Sequence, residues 1–325
     1  MTIENIKVTK EMIIAKIEKD LKSKTYKDFN FSIEGIEMEP IYTSSEIIES
    51  NTDLGPISPL WQIAQRYRIE EPRIANKEIL KDLNEGVNAL ICDFSKHDKW
   101  TIEDMKLLYK DVNIPYISLH LRGLGIESTK QFQNFIPSIA IGKDIITSDL
   151  FVTQNQRYKK MTISDMDSIC VALEELNSNT SEAFHYYFEI EIGQDYFYEI
   201  SKIRALHLLW NKMMTFYKQD HKIYAIGICG HKSQESDELN NNMIRNTLEA
   251  MSGIIGGIDV LYINPNDESE ENIKFSSRIS KNIQMILQEE SAFGLVSDPS
   301  KGSYYIERLT NAIAEKVWEK FRKAN

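Results

Sequence analysis

Residues 61–325 alternate between short apolar runs and amphipathic stretches, and this alternation constrains the fold more than any other feature. Short apolar runs bounded by Gly, Pro, Asn or Asp are typical of buried strands, whereas apolar residues at i, i+3 and i+4 are typical of helices. We predict eight strands, at 89–94, 116–121, 138–142, 150–154, 186–192, 223–229, 259–263 and 295–297. Eight strands that alternate with helices predict an α/β fold, a (β/α)8 TIM-type barrel.

One connection does not fit this pattern. Roughly eight residues separate the strands predicted at 138–142 and 150–154, whereas a parallel crossover with its helix needs at least ~10–12 residues. Either one of these two strands is assigned wrongly, or the barrel is eroded between residues 120 and 160. Two helix starts are better defined: Thr101 and Asp104 form a capping-box pattern, and the segment ending in Asp165 precedes an apolar helical face.

Residues 1–60 lack the alternation. Apolar side chains recur with a helical period over 6–21, Pro40 interrupts a strand-like segment, and Gly55 lies in a loop. A segment of about 60 residues with few large apolar groups buries too little surface to be robust alone. We therefore predict an N-terminal arm or extension over 1–60 and one barrel domain over 61–325.

Charge and composition exclude several classes of function. The chain has 38 Lys+Arg against 49 Asp+Glu, a net charge of −11. Nucleic acid and anionic membranes are not expected as partners, because both require a basic surface. No apolar run approaches the ~20 residues of a membrane span, and the N-terminus lacks the apolar region of a secretory signal. The three cysteines and the histidines have no metal-site spacing. We expect a cytoplasmic protein without a metal site.

Parallel barrels place their functional groups where the strands end, at the C-terminal mouth. The loop after 223–229 supplies donors for an anionic or amide-rich ligand, and the loop at 298–303 precedes a helix whose N–H groups can hold phosphate. A plain solvated loop and a helix cap explain the same residues equally well. The candidate substrate-binding residues are His120, Arg122, His231, Lys232, Ser233, Asn264, Lys301 and Ser303. No residue is assigned a catalytic, cofactor-binding or metal-binding role.

Five segments of the C-terminal half resemble one known family. Residues 298–310 (DPSKGSYYIERLT) resemble the D-P-x-x-G-S-x-Y-x-E-x-L-T segment of methylmalonyl-CoA mutases, and residues 192–205 (IGQDYFYEISKIRA) resemble their I-G-x-x-F-x-E-x-A-K-x-R-A helix. Residues 275–291, 246–251 and 256–259 match in order and spacing. Nearer the N-terminus, 35–43 and 61–67 resemble the small (beta) subunit of the bacterial heterodimeric enzyme.

The resemblance implies a (β/α)8 barrel that threads a CoA ester through its centre, next to a separate cobalamin-binding domain. The family isomerises methylmalonyl-CoA and succinyl-CoA with adenosylcobalamin, which carries the radical chemistry. Several family features are missing here. The D-x-H-x-x-G cobalamin motif does not occur, the substrate-stacking Tyr of R-Q-Y-A-G-F aligns one position away from Tyr67, and 151–156 has no His where the family has G-Y-H. We therefore expect a shortened chain without the cobalamin-binding domain and with no catalytic residue transferred from the family.

Two functions follow as hypotheses. In the first, the chain is a non-catalytic small (beta) subunit that stabilises a large (alpha) mutase subunit, and adenosylcobalamin binds in that partner rather than in this chain. In the second, the chain is the acyl-CoA-binding barrel of a split mutase whose cobalamin domain is a separate chain. The first is favoured, because a split enzyme is expected to retain the Tyr, His and Arg groups of the family. A generic CoA-binding or regulatory barrel is the third alternative.

Overall fold

The computed structural model describes residues 8–21, 24–46, 54–55, 57–97, 99–124, 128, 135, 145–147, 150–153, 156–179, 184–219, 222–230 and 239–324. Within these residues the strands are β1 (Phe31–Ile33), β2 (Ile36–Met38), β3 (Gln62–Arg68), β4 (Ala89–Asp93), β5 (Ser118–Arg122), β6 (Ile145–Thr147), β7 (Leu150–Thr153), β8 (Gln156–Ile163), β9 (Phe184–Glu191), β10 (Ala225–Cys229) and β11 (Val260–Ile263). The helices are α1 (Lys10–Leu21), α2 (Pro72–Asn84), α3 (Ile102–Leu108), α4 (Met166–Ser178), α5 (Tyr196–Tyr217), α6 (Leu239–Gly256), α7 (Ile273–Met285) and α8 (Tyr304–Ala324).

One large sheet organises the chain. Its strand order is β6-β5-β4-β3-β11-β10-β9-β8-β7, and every neighbouring pair from β6 to β8 is parallel. Only the terminal strand β7 is antiparallel, to β8. The crossover helices α2, α4, α5 and α6 connect successive parallel strands, as the alternation predicted.

The sheet is curled into a TIM-type barrel, which confirms the predicted fold class. Arg122 on β5 and Glu189 on β9 form an ion pair with 2.6 Å between Nη2 and Oε1. Four strands lie between β5 and β9 in the sheet order. In a flat sheet with strands ~4.8 Å apart, the two side chains would be roughly 24 Å apart and could not meet. The two ends of the sheet, β6 and β7, lie between residues 120 and 160, where the sequence departed from the regular pattern.

Several strand predictions are corrected. β3, β6 and β8 are barrel strands that the sequence analysis did not predict, and the segment predicted as a strand at 295–297 instead includes the end of a 3-10 turn, Phe293–Leu295. The segment at 150–154 does form strand β7, but outside the parallel set. The strand predicted at 138–142 lies outside the described residues.

Local capping signals agree with the helix starts. The Thr101 side chain accepts a hydrogen bond from the Asp104 backbone N–H, and α3 follows directly. The Asp165 side chain accepts one from the Ser168 N–H, and α4 begins at Met166. Such caps satisfy backbone N–H groups that have no partner within the helix. Every helix in the described part of the chain is too short or too polar to cross a lipid bilayer.

The N-terminal segment packs on the barrel helices. Ile36, Met38 and Leu54 join the same buried cluster as α4, α5 and α8. The ring of Tyr42 meets Tyr305 edge to face at 5.9 Å, and Lys316 Nζ donates to the backbone carbonyl of Glu34. The β1–β2 hairpin therefore shares its apolar core with α8.

A Met38→Ala substitution tests how firmly the hairpin is attached. Met38 is 1% exposed, so its truncation leaves a cavity and is expected to lower the free energy of unfolding by about 2–5 kcal/mol. Phe31→Ala, on the paired strand and 42% exposed, is the control and is expected to cost less than about 1 kcal/mol. Urea denaturation of both variants measures the difference. Equal small losses would mean that the hairpin is not part of the barrel's cooperative unit.

Candidate functional site at the barrel mouth

Side chains fill the centre of the barrel. Alternate residues of each strand point inward, and those of five strands form one buried apolar cluster of Ala64, Ala89, Ile91, Tyr187, Ile226, Val260 and Tyr262. The remaining apolar residues of the same strands belong to the two clusters between sheet and helices. The described interior is thus a packed core with large aromatic rings at its centre.

Charged side chains lie above this core, toward the C-terminal ends of the strands. Arg66 Nη2 pairs with Asp93 Oδ2 at 2.5 Å, and Glu189 accepts from both Arg122 and Lys160, at 2.6 and 2.8 Å. Burial opposes ionisation of Asp93, but hydrogen bonds from Ser95 and Arg66 hold its pKa below the ordinary value. The Asp93 carboxylate therefore remains charged. These ion pairs tie β3 to β4, and they tie β9 to β5 and β8.

His120, a predicted site residue, lies inside the barrel rather than at its open mouth. Its side chain is buried, with 4% of the residue exposed, and its ring stacks on Tyr224 with 6.0 Å between centroids. Neither ring nitrogen has a hydrogen-bond partner within the described residues. Burial, and then the positive charge of Arg122, lowers the pKa of His120 to about 3. The imidazole is neutral at physiological pH and is separated from solvent.

A polar cluster closes the N-terminal end of the barrel below His120. Ser118 Oγ donates to Gln62 Oε1 at 2.5 Å. The Tyr224 hydroxyl lies 3.3 Å from Gln62 Oε1 and 3.2 Å from Ser118 Oγ. These bonds join β3, β5 and the residue before β10 across the interior, so the strands are tied together at both ends of the barrel.

The other predicted site residues are not brought together. Asn264 Nδ2 donates to the Cys229 carbonyl at 2.9 Å and fixes the loops after β10 and β11. Lys301 and Ser303 are exposed in the turn before α8. Of the five candidates that the structure describes, His120 and Arg122 share the inner face of β5, and Lys301 and Ser303 share the turn before α8. His231, Lys232 and Ser233 lie outside the described residues.

Sequence reasoning missed the buried ionic network on α5. Lys202 is completely buried and its Nζ pairs with Glu199 at 2.7 Å. The same ammonium group donates to the backbone carbonyls of Ser164 and Glu191, at 3.1 and 2.9 Å. Burial raises the pKa of Glu199, whereas the Lys202 ammonium group and a hydrogen bond from the Gly193 N–H act to lower it. This network holds the loops after β8 and β9 against α5.

A second buried network joins α5 to α8. Arg204 pairs with Asp298 through Nη1 and with Glu307 Oε1 through Nη2, the latter at 2.8 Å. The Gly302 N–H donates to the same Glu307 oxygen at 3.1 Å. The 298–303 turn is therefore held by its own side chains and by α5. The ion-paired side chains of both networks stand at specified letters of the motifs at 192–205 and 298–310.

The fold and this interior define a class of parallel α/β barrel whose centre is closed by side chains. Within that class, the sequence profile described as methylmalonyl-CoA mutase matches residues 178–325. Residues 178–325 are therefore similar in sequence to the methylmalonyl-CoA mutase family.

Curated relatives match the same family. A methylmalonyl-CoA mutase of Rhizobium meliloti (strain 1021) is 41% identical over 138 residues, which cover 40% of this chain and 19% of that protein. A methylmalonyl-CoA mutase small subunit of Porphyromonas gingivalis is 38% identical over 140 residues, 41% of this chain and 23% of that protein. The large subunit of the same organism is 38% identical over 133 residues, 39% of this chain and 18% of that protein.

The matched part of the chain thus spans about a fifth of the length of these relatives. Among solved structures, Yersinia pestis DHPS with a pterine-sulfa conjugate aligns with 81% of this chain and 98% of its own, at 9% identity and a TM-score of 0.34.

Lys202→Met tests the network on α5. The substitution leaves the buried Glu199 carboxylate without its cation and two carbonyls without their donor, so the free energy of unfolding is expected to fall by about 3–5 kcal/mol. Lys212→Met, at an exposed position of the same helix, is the matched control and is expected to stay within about 0.5 kcal/mol of the parent. Denaturant unfolding at pH 7 measures both. Equal stability of the two variants would contradict a structural role for Lys202.

His120→Phe tests the neutral, enclosed imidazole. The folded-state pKa of His120 is about 3, below the unfolded value of ~6.5. At pH values between the two, the unfolded chain therefore binds one more proton than the folded chain. His120 therefore does not change the free energy of unfolding above pH ~6.5. As the pH falls below ~6.5, this group lowers the free energy of unfolding. In the His120→Phe variant, the slope of the free energy of unfolding against pH is expected to be smaller by up to about 1.4 kcal/mol per pH unit below pH ~6.5.

The measurement is urea denaturation of both proteins between pH 5 and 8. His207, whose pKa burial lowers to about 4, is present in both, so the difference isolates His120. At pH 7 the variant is expected to be about as stable as the parent, since the replaced ring nitrogens have no partner. Parallel pH profiles, or a loss above about 2 kcal/mol at pH 7, would show that His120 is solvated or hydrogen-bonded.

Proposed function

We propose that the chain is a non-catalytic small (beta) subunit of an adenosylcobalamin-dependent methylmalonyl-CoA mutase. In this role it stabilises the large (alpha) subunit, which isomerises methylmalonyl-CoA and succinyl-CoA. The observation that carries the proposal is the filled barrel centre. A barrel that threads a CoA ester needs an open passage along its axis, and here that axis is occupied by Tyr187, Tyr262 and their apolar neighbours.

The charges above the core support the same conclusion. Arg122 and Lys160 are both engaged with Glu189, and Arg66 with Asp93. A substrate carboxylate would have to displace these internal partners before it could bind. This arrangement disfavours the alternative function, an acyl-CoA-binding barrel of a split mutase.

Among the residues that the structure describes, the histidine nearest the mouth does not fit cobalamin. A residue that held the cofactor would have to be accessible to it, whereas both ring nitrogens of His120 are buried within the barrel. We therefore propose that adenosylcobalamin, which would supply the radical chemistry, binds in the partner subunit.

Relatives named as small and large subunits in one organism support a two-subunit arrangement. The arm over 1–60 offers part of the contact surface that we propose. Helix α1 has no buried residue, and Val8 and Met12 beside and within it are exposed. Exposed apolar side chains of this kind are common in protein interfaces.

Because Cys92, Cys170 and Cys229 are free thiols, we propose that the complex lies in the cytoplasm.

Co-expression with the large mutase subunit of the same organism tests the proposal. The two chains are expected to co-purify, and the complex is expected to resist thermal inactivation better than the large subunit alone. The isolated chain, given adenosylcobalamin and methylmalonyl-CoA, is expected to form no succinyl-CoA. Turnover by the isolated chain, or no association with the large subunit, would contradict the proposal. A large subunit inactivated at the same rate with and without this chain would contradict the stabilising role.

A further inference from the structure

An apolar groove lies between the C-terminal halves of α5 and α8. The two helices run side by side, with Arg204 of α5 paired to Glu307 of α8 near one end. His207 contacts the carbonyl of Gly257 at 3.0 Å, and Gly257 lies just before β11 begins, so the residues of α5 after His207 extend past the N-terminal end of the barrel. There the helices enclose a space of about 630 Å³. Its lining consists of Asn177, Leu208, Leu209, Lys212, Met213, Phe216, Tyr217, Asn311, Ala314, Glu315, Trp318 and Phe321.

The groove has the anatomy of a protein interface. Its floor is apolar, with Leu209 and Met213 buried and Trp318 stacked on Phe321 at 5.2 Å between ring centroids. Phe216 is 77% exposed and Trp318 is 37% exposed at its edges. Large aromatic residues and Met in an apolar centre, with a polar rim, are typical of binding hot spots.

The polar rim indicates the kind of partner. Lys212 projects from the α5 side and Glu315 from the α8 side, and within the described residues neither has an ion-pair partner. Both charged groups are exposed at the edge of the groove, where charged side chains of a protein partner can reach them. A helix that carries an apolar face between charged flanks can satisfy both.

Local charge favours acidic flanks on that helix. The net charge of the whole chain is −11, yet this end of the molecule presents Lys212, Lys218, Arg322 and Lys323 on exposed positions, against the exposed acids Glu315 and Glu319. Among the residues that the structure describes, none of these four basic side chains forms a salt bridge. Opposite charges across an interface accelerate association and select the partner.

We propose that this groove docks an amphipathic helix of the large mutase subunit, with apolar residues at i, i+3 or i+4, and i+7, and with predominantly acidic flanks. Such helix-in-groove recognition buries the apolar face of the helix along the two flanking helices. This inference rests on the proposed function, since it names the surface through which the two subunits meet. It adds a contact site that is separate from the arm and from the barrel mouth.

Two substitutions in the groove test the docking surface. Phe216→Asp removes an exposed aromatic group and places an acid opposite acidic flanks, and Lys212→Glu reverses one rim charge. For each variant, the dissociation constant of its complex with the large subunit is expected to rise at least tenfold. Surface plasmon resonance with the large subunit immobilised measures this change. The matched control is Tyr116→Asp, an equally drastic change at a 74% exposed aromatic residue in the turn before β5, which is expected to change the affinity less than twofold. Because all three positions are exposed, circular dichroism should show unaltered folding and melting.

Hydrogen exchange gives an independent readout. Amides in residues 208–219 and 311–324 are expected to gain protection in the complex. If the parent chain binds the large subunit but Phe216→Asp and Lys212→Glu bind like Tyr116→Asp, the groove is not the docking surface and the proposed function stands. If the parent chain does not bind the large subunit at all, the proposed function fails and this inference fails with it.

Discussion

The buried ion pairs on helix α5 are the constraint on which the rest of the architecture depends. Lys202 and Arg204 are among the largest fully buried side chains of the protein. Burying two cations is costly unless each is matched by an anion and by hydrogen bonds. Lys202 finds Glu199 and two loop carbonyls, and Arg204 finds Asp298 and Glu307. Helix α5 can therefore dock only where the loops after β8 and β9 and the start of α8 are all in place.

The same network explains why the family is recognisable in this chain. Gly193, Glu199, Lys202, Arg204 and Glu307 are motif positions of the mutase segments, and each makes a contact that positions backbone. Glu249, in the matched segment 246–251, likewise accepts from the Gly230 N–H at 2.7 Å. These positions report a shared architecture. A shared architecture does not by itself transfer an activity, because function resides in the groups at the site.

The sequence predicted the barrel because most strands are apolar runs between capped helices. It missed β3, β6 and β8. For β3 and β8 the reason is physical, because their inward residues include Gln62, Arg66 and Lys160, which pair with other side chains inside the barrel and so break the apolar pattern. The three-residue run at 295–297 was read as a strand because it is apolar, yet Leu295 and Val296 are exposed.

The site could be predicted only in part from the sequence. The sequence predicts Arg122 at the end of a strand, but its pairing with Glu189 depends on how the sheet curls. His120 was expected at the mouth. It lies two residues before Arg122 on β5, which corresponds to ~6.8 Å along the strand and places it within the core. Charge partners contributed by distant strands cannot be read from local sequence. The identities of the groove residues were visible, but their convergence required the parallel docking of α5 and α8.

The central claim is that the barrel centre is a packed core rather than a ligand channel. Isothermal titration of methylmalonyl-CoA into the isolated chain tests it most directly. The filled interior of Tyr187, Tyr262 and the Arg122–Glu189 pair predicts no saturable heat at millimolar ligand. Saturable binding with a micromolar dissociation constant, abolished by substitution of Arg122, would contradict this claim and favour an acyl-CoA-binding barrel.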